Sequence, residues 1–422
     1  MKYLRLISII TAIFLISVGF YSYSILHPTI KENRTIYVIP VYGQSLALGE
    51  EAPIETNLDS LQQSYDNRIL GPELNTRLGF FSSTIFKQRI KMLINDRRRQ
   101  FETSCFTLAA TLLDSLAVHG DTTSYVCTFE AGQGDSDIEN LGPNSEAYNK
   151  LIRQLENIAK RAKEFNCKII VPAFCWVQGE NNLVWSKEIN YTKLLRNFRS
   201  TLEKDINKIF DRNSSLPCIL YQTSCLSIAK DGYHPYDFHC RQISIPEQQR
   251  QLIAKDSLFY ASVPIYPFEI AREYVHLVAK GQQMLGRYEG RAISELLNRR
   301  TGKGLQLISE SCHKDTIELS FKVPCNPLVI DTIQVMKAPQ YGFSVITPNN
   351  ENILKKVIVS EKTISLITKS NTKGLVKVRY GANGETYKSG CINGPRGNIR
   401  DSSKLPNWMY ITELTCDMGL KE

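Results

Sequence analysis

The hydrophobic positions of this chain follow two different periods before residue 300. Short apolar runs that end at glycine or polar residues predict buried strands, whereas longer segments with apolar residues at helical spacing predict amphipathic helices. The predicted strands cover residues 35–42, 124–130, 167–174, 217–222 and 258–264, and the predicted helices cover residues 103–117, 145–165, 189–210, 246–254 and 280–298. Because strands and helices alternate, we expect an α/β domain with a parallel sheet that is covered by helices on both faces.

The pattern changes after Arg300. Short strand-like runs follow one another, turn residues separate them, and no helical period remains. This pattern is typical of a β-sandwich or a jelly roll. We therefore expect an α/β domain over residues 31–299 and an all-β sandwich domain over residues 300–422. Between the first strand and the first long helix, residues 50–99 predict a long loop with helical pieces.

The first 30 residues form a separate segment. Lys2 and Arg5 precede an uncharged, mostly apolar run over residues 6–30. A positive end followed by such a run is the pattern of a secretory signal, and the run is also long enough for a membrane span, which takes about 20 residues. Since no small-x-small cleavage site follows, the sequence favours an uncleaved membrane anchor over a cleaved signal peptide. We expect the rest of the chain to be exported.

Composition and charge are those of a globular protein. Of the 422 residues, 42% are hydrophobic and 22% are charged, and the net charge of +9 is spread along the chain apart from Arg97–Arg99. A nucleic-acid-binding protein would show a basic stripe or a binding motif, and the sequence has neither. We therefore expect no nucleic-acid partner, and contact with a membrane through the N-terminal segment alone.

The eleven cysteines are scattered through the chain, and they show neither a C-x-x-C pair nor the spacing of a zinc site. Several of them lie in or beside apolar strand-like runs and are expected to be buried hydrophobic residues. One or two disulfides are compatible with the count, and the sequence assigns none.

Polar residues follow three of the predicted strands at the point where each strand ends. The segments are Gly43-Gln44-Ser45 after the first strand, Ala131–Ser136 after the second and Gln178-Gly179-Glu180 after the third. Because the carboxyl ends of parallel strands meet at one edge of a sheet, we expect these segments to lie close together.

A histidine lies far downstream, just before the last predicted helix, in Glu273-Tyr274-Val275-His276-Leu277. A serine nucleophile needs a positioned base, and histidine suits this role because its pKa lies near neutrality. The carboxylate three residues before the histidine can reach its other ring nitrogen. Backbone N–H groups at Ser45 and at the glycine turn, together with the Gln178 side chain, are candidate donors to an oxyanion.

The order of these motifs resembles that of the SGNH (GDSL-like) hydrolases. More narrowly, it is similar to the branch that contains sialate O-acetylesterases and carbohydrate acetylesterases. The motifs G-Q-S, a glycine turn, W-x-Q-G-E and acidic-x-x-H occur in that order within about residues 36–295. The resemblance implies a flavodoxin-like, three-layer α/β/α fold for this part of the chain.

Carried over by motif, the resemblance implies a role for each residue. Ser45 is the nucleophile and His276 is its base. Gly134, or alternatively Gly132, and Gln178 join the N–H of Ser45 as oxyanion donors. Glu273 stands where the family carries an aspartate, and its extra methylene changes its reach. The residues expected to contact the substrate are Gly132, Glu180 and His234.

A second cluster of polar residues lies in Tyr233–Cys240, which contains two histidines, an aspartate and a cysteine. Such residues can bind a transition metal, but their spacing matches no zinc motif and the aromatic residues between them are typical of a loop that faces substrate. We therefore expect no metal and no cofactor, and we expect His234 to line a sugar pocket.

These interpretations predict a serine esterase that removes O-acetyl groups from carbohydrate, either sialic acid or an acetylated polysaccharide, through an acyl-enzyme. One alternative is a carbohydrate-binding surface protein that kept the fold and lost efficient catalysis, and the glutamate at position 273 keeps it open. The other is a lipase or thioesterase of the same fold, which the same triad would serve.

Overall fold

A computed structural model describes residues 33–71, 101–184, 189–224, 243–271, 275–300, 302–369, 373–384 and 390–419. The expected N-terminal anchor, Glu273 and His234 lie outside these residues. Of the helices within the described ranges, none is long and apolar enough to cross a membrane.

The first part of the described chain forms a seven-stranded parallel sheet. Its strands are β1 (Thr35–Gly43), β2 (Ile69–Leu70), β3 (Tyr125–Gly132), β4 (Lys168–Ile170), β5 (Phe174–Val177), β6 (Cys218–Gln222) and β7 (Phe259–Pro264). The strand order is β2-β3-β1-β5-β6-β7, and β4 pairs with the beginning of β1. The order runs outward in both directions from β1, so the carboxyl end of β1 lies at the switch point where open α/β sheets place their sites.

Helices cover both faces of this sheet, which confirms the three-layer prediction. They are α1 (Leu58–Ser64), α2 (Ser104–Val118), α3 (Glu146–Glu164), α4 (Glu180–Val184), α5 (Tyr191–Ile209), α6 (Ser244–Lys255) and α7 (Ala279–Leu297). Ile39 and Val41 of β1 belong to the core under α2 and α7, whereas Ile36 and Val38 belong to the core under α3, α5 and α6. The alternation follows from the two-residue period of a strand.

Two glycines let α7 pack closely on α2. A Cβ at Gly286 would lie 2.1 Å from the carbonyl oxygen of Ser104, and one at Gly290 would lie 2.9 Å from that of Leu108. Only residues without a side chain fit this contact. The close packing fixes the position of α7, and therefore of His276, which comes just before this helix.

The second part of the described chain is antiparallel. Its strands are β8 (Gln306–His313), β9 (Thr316–Lys322), β10 (Leu328–Ile330), β11 (Phe343–Ile346), β12 (Leu354–Val359), β13 (Thr363–Thr368), β14 (Leu375–Tyr380), β15 (Ile399–Asp401) and β16 (Thr412–Asp417). They form sheets of order β12-β13-β9-β8, β11-β14-β16 and β10-β15. The predicted all-β C-terminal part is confirmed.

Apolar contacts and hydrogen bonds join the two parts. One cluster of buried apolar side chains contains residues of α2, α7 and the antiparallel sheets. The side chain of Gln222, at the end of β6, donates to the carbonyl oxygen of Ile411 at 2.9 Å and accepts from its N–H at 2.8 Å. The division into two domains near residue 300 stays a prediction, since a shared core crosses that point.

The single strand expected over residues 167–174 is wrong. The segment forms β4 and β5, which are separated by residues 171–173. Pro172 lies in this gap and has no N–H to donate to a ladder, while the N–H of Phe174 donates to Pro217. One strand of the parallel sheet, β2, lies outside the predicted strands.

Candidate active site

Ser45 lies immediately beyond the carboxyl end of β1. Gly43, the last residue of that strand, is in register with Gly132 of β3 on one side and with Val177 of β5 on the other. A Cβ at Gly43 would lie 1.8 Å from the carbonyl oxygen of Val177, so a glycine is required there. The N–H of Gln44 then donates to the same carbonyl at 3.0 Å. The three predicted strand ends thus meet at one edge.

His276 reaches this edge from the segment between β7 and α7. Its Nε2 lies 2.6 Å from the Oγ of Ser45, within hydrogen-bond distance. The His276 carbonyl accepts from the N–H of Ala271 at 2.7 Å, which holds the segment in place. On the other side, Gln282 of α7 donates to the carbonyl of Leu46 at 2.9 Å. The structure therefore joins a serine hydroxyl to an imidazole that can accept its proton.

Two backbone N–H groups near Ser45 are available to an oxyanion. Within the described ranges, the N–H groups of Ser45 and Gly134 have no hydrogen-bond acceptor. Gly134 lies two residues beyond β3, on the strand that neighbours β1. A backbone N–H group without an acceptor can donate to an oxyanion.

The Gln178 side chain lies below this edge and is fully buried. Its Nε2 donates to the carbonyl of Ser136 at 3.2 Å and to Oδ1 of Asn182 at 2.6 Å. Its Oε1 accepts from the hydroxyl of Tyr191 at 2.8 Å. Because both N–H groups of the amide are used inside the protein, the structure does not present Gln178 to Ser45 as a free donor.

Gln178 belongs to a set of buried polar side chains that we call the buried network: Gln44, Gln178, Glu180, Tyr191 and Gln249. The Oε1 of Gln44 accepts from the backbone N–H groups of Gly179 and Asn181 at 3.3 and 3.2 Å. Gln44, the glutamine of the G-Q-S segment, therefore links the turn that carries Ser45 to the Q-G-E segment. This contact was not predicted, because nothing in the spacing of the two segments shows which side chain bridges them.

Glu180 is the charged member of the buried network. It accepts hydrogen bonds of 2.6 Å from the hydroxyl of Tyr221 and from that of Thr223. Burial raises the pKa of the Glu180 carboxyl, and the hydrogen bonds from Thr223 and Tyr221 and the nearby imidazole of His276 lower it by a smaller amount. Glu180 is buried, and the substrate contact expected for it stays a prediction.

Glu50 lies at the edge of the site and was missed by the sequence analysis. Its N–H donates to the carbonyl of Ser45 at 3.1 Å. A Cβ at Gly134 would lie 2.7 Å from Oε1 of Glu50, so the carboxylate rests against the glycine turn.

Gly132 is required by the backbone geometry. Its φ is 145°, and a Cβ there would lie 1.9 Å from the carbonyl oxygen of Gly43.

The acid and one substrate contact of the predicted site fall outside the described residues. Glu273 and His234 therefore keep the roles predicted from the sequence. In the described part of the chain, no group of three or more histidine, cysteine, aspartate or glutamate side chains could hold a metal ion.

No protein-family model and no curated protein matches the sequence. A comparison with solved structures finds a carbohydrate acetylesterase from Xanthomonas citri with a TM-score of 0.58, at 14% identity over 90% of this chain and 80% of that one. The chain has the SGNH-hydrolase fold. At this identity the match concerns the fold alone.

Two further structures with the SGNH fold match a shorter part of the chain. One is NanS, with a TM-score of 0.42 and 12% identity over 64% of this chain and 100% of that one. The other is Est24, a carbohydrate acetylesterase from Sinorhizobium meliloti, with a TM-score of 0.33 and 12% identity over 63% of this chain and 100% of that one.

Proposed function

We propose that this chain is a serine esterase that removes O-acetyl groups from carbohydrate through an acyl-enzyme. The observation that carries the proposal is the 2.6 Å contact between Ser45 Oγ and His276 Nε2 at the switch point of the sheet. A binding protein that had lost catalysis would have no need of this contact. The fold match to a carbohydrate acetylesterase supports the choice of substrate class.

The first half of the reaction transfers the acetyl group to the enzyme. His276 Nε2 takes the proton of the Ser45 hydroxyl while Oγ attacks the acetyl carbonyl carbon. The carbonyl oxygen becomes negative and accepts hydrogen bonds from the N–H groups of Ser45 and Gly134. When the tetrahedral intermediate collapses, the bond to the sugar oxygen breaks and His276 gives its proton to that oxygen. The sugar leaves, and Ser45 remains acetylated.

The second half returns the enzyme to its starting state. His276 accepts a proton from water, and the resulting hydroxide attacks the acetyl carbonyl. The same two N–H groups stabilise the second oxyanion. Collapse releases acetate, and His276 returns the proton to Ser45 Oγ. During both halves the imidazole carries a positive charge in the transition state, which Glu273, predicted from the sequence, and the buried Glu180 would stabilise.

The test measures hydrolysis of p-nitrophenyl acetate, butyrate and octanoate, and release of acetate from acetylated xylan and from O-acetylated sialic acid. We expect the acetyl ester to be the best of the three model substrates. The Ser45→Ala variant should lose activity about 10³-fold or more while keeping its unfolding temperature. Ser365→Ala, on β13 and far from the site along the chain, is the matched control.

Each alternative predicts a different result. A preference for octanoate would support a lipase, and a wild-type protein as inactive as Ser45→Ala would support a binding protein. A fully active Ser45→Ala variant would end the mechanism.

We also propose that the chain is exported and held to a membrane by residues 6–30, on the basis of the positive end and the apolar run described above. The full chain should remain with membranes after extraction with high salt, whereas a chain that begins at Lys31 should not. A mature exported protein that starts near residue 25 would show a cleaved signal instead.

A further inference from the structure

Glu50 contacts both residues that supply the candidate oxyanion donors. Its backbone N–H donates to the carbonyl oxygen of Ser45 at 3.1 Å. Its carboxylate oxygens would lie 2.7 and 3.3 Å from a Cβ built on Gly134, so they lie against that glycine. Ser45 and Gly134 each come two residues after Gly43 and Gly132, which are paired in register. The Glu50 side chain therefore borders the place where, under the proposed mechanism, the ester carbonyl binds.

The turn that carries Glu50 is held in place by Glu102, a fully buried residue just before α2. The N–H of Glu102 donates to the carbonyl oxygen of Ala52 at 2.7 Å. Its carboxylate accepts from the N–H groups of Glu55 and Thr56 at 2.9 and 2.8 Å. Because these contacts fix the chain directly after Glu50, its carboxylate extends from a backbone of defined position, as a residue that determines specificity requires.

Two carboxylates at this edge have no partner in the described part of the chain. Glu50 is half-buried, and its side chain makes neither a hydrogen bond nor an ion pair with another described residue. The same holds for Asp135, which follows Gly134 directly and is exposed. A carboxylate only accepts hydrogen bonds, and it repels another negative charge. This edge is therefore suited to hydroxyl groups and unsuited to a further carboxylate.

We propose that Glu50 determines substrate specificity: its carboxylate accepts hydrogen bonds from the hydroxyl groups of a neutral sugar and disfavours a sugar that carries a carboxylate. The inference rests on the proposed esterase function. Of the two substrate classes named above, it selects acetylated polysaccharides of neutral sugars over sialic acid. Hydrogen bonds to a carboxylate are about twice as strong as those between neutral groups, so a well-placed hydroxyl gains affinity. A substrate carboxylate has no proton to donate and is repelled.

The same charge should slow the reaction of an ester that has no sugar. Negative charge develops on the carbonyl oxygen in the transition state, and a carboxylate beside Gly134 disfavours that charge. A neutral sugar offsets this effect through its hydrogen bonds to Glu50, whereas a sugar-free ester cannot. Replacing Glu50 with glutamine should therefore have opposite effects on esters with and without a neutral sugar.

The test compares the wild type with Glu50→Gln on acetylated xylan, p-nitrophenyl acetate, O-acetylated sialic acid and the methyl ester of that acid. The methyl ester lacks the negative charge of the acid. The wild type should prefer the methyl ester to the acid about fivefold or more in kcat/KM at low salt, and less at high salt. Glu50→Gln should lose most of this preference. It should also lower kcat/KM for acetylated xylan about 10-fold and raise that for p-nitrophenyl acetate about twofold. Glu51→Gln, the same change of charge at an exposed neighbour, should behave like the wild type.

The inference is overturned if the wild type does not prefer the methyl ester, or if Glu50→Gln keeps the preference that Glu51→Gln shows. It is also overturned if Glu50→Gln lowers kcat/KM for all four esters by a similar factor, because a residue that only supports the turn would do so. Each of these results leaves the esterase function intact. A wild type that is inactive on all four esters would contradict the proposed function as well.

Discussion

Two sets of polar residues lie at the carboxyl edge of the parallel sheet, and they differ in how far the protein encloses them. The Ser45–His276 pair joins a hydroxyl to a half-buried imidazole, next to N–H groups that have no acceptor within the described ranges. The buried network beneath it is almost fully enclosed, and its side chains bond to one another, to the backbone or to neighbouring buried side chains. Reacting groups must admit substrate and pass a proton, whereas groups that fix geometry are best enclosed. Under the proposed function, the difference separates the residues that react from the residues that hold them in place.

The largest effect is expected from removing both members of the pair. His276→Ala should lower kcat about 10³-fold or more, as Ser45→Ala does, because a hydroxyl without its base is a weak nucleophile. The double variant should be no worse than either single variant, since the two residues act as a unit. Steady-state kinetics check this, with the exposed His313→Ala as control. Additive losses would mean that the two residues act independently.

The next effect concerns the negative charge that supports His276. Glu273→Gln should lower kcat about 10²-fold with little change in KM, because the charge matters most when the imidazole becomes positive. Glu273→Asp should retain more activity. The comparison variant is Glu180→Gln, in the buried network. If Glu180→Gln lowers kcat more than Glu273→Gln and still folds, the supporting charge comes from the buried network and the assignment of Glu273 is wrong.

A second buried carboxyl group, that of Glu289, extends the comparison to the stability of the folded protein. Glu289 of α7 is as buried as Glu180, but its Oε2 has no hydrogen-bond partner within the described chain. Burial raises the pKa of Glu289 to about 8 from 4.5, against a small opposite effect of a hydrogen bond with Ser104. The folded protein therefore favours the protonated carboxyl, and its stabilising contribution is complete below pH 4.5 and is lost as the pH rises to about 8.

Glu289→Gln should remove this pH dependence, which corresponds to a few kcal/mol in the free energy of unfolding. The unfolding temperature of the wild type should fall between roughly pH 5 and pH 8, and that of the variant should fall less. Thermal unfolding across this range is the measurement, with the exposed Glu318→Gln as control. Parallel curves for wild type and Glu289→Gln would contradict the prediction.

The smallest effect tests the link between the pair and the network. Gln44→Ala leaves the buried N–H groups of Gly179 and Asn181 without their acceptor and should cost about 2 kcal/mol of unfolding free energy. Denaturant unfolding measures it. Gln251→Ala is the control, because its partly buried side chain bonds, among the described residues, only to the side chain of Glu247. Equal losses in the two variants would show that Gln44 does not anchor the turn.

Local patterns were sufficient to predict the parallel sheet, and the order of the motifs along the chain pointed to Ser45 and His276 as neighbours. The apolar run over residues 35–42 ends at a glycine, and β1 ends one residue later. Ser45 and His276 are far apart in sequence, yet each lies where a strand or a helix begins or ends. Parallel strands bring such ends together, so the topology alone places them at one edge.

The remaining features depend on contacts that sequence spacing does not show. β2 has two residues, too few for a pattern, and β16 has a largely polar sequence whose burial depends on β14 beside it. The two N–H groups of Gln178 find their acceptors at Ser136 and Asn182 only after folding. The Gln178 amide, which the sequence predicts as an oxyanion donor, therefore donates to groups within the protein in the structure.

Covalent labelling of Ser45 is the most direct test of an acyl-enzyme mechanism. The full chain would be incubated with a fluorophosphonate probe and the labelled peptide identified by mass spectrometry. We predict one label, on Ser45, that forms slowly in His276→Ala and not at all in Ser45→Ala. A label on another serine, or an unlabelled wild type that still hydrolyses p-nitrophenyl acetate, would contradict the mechanism.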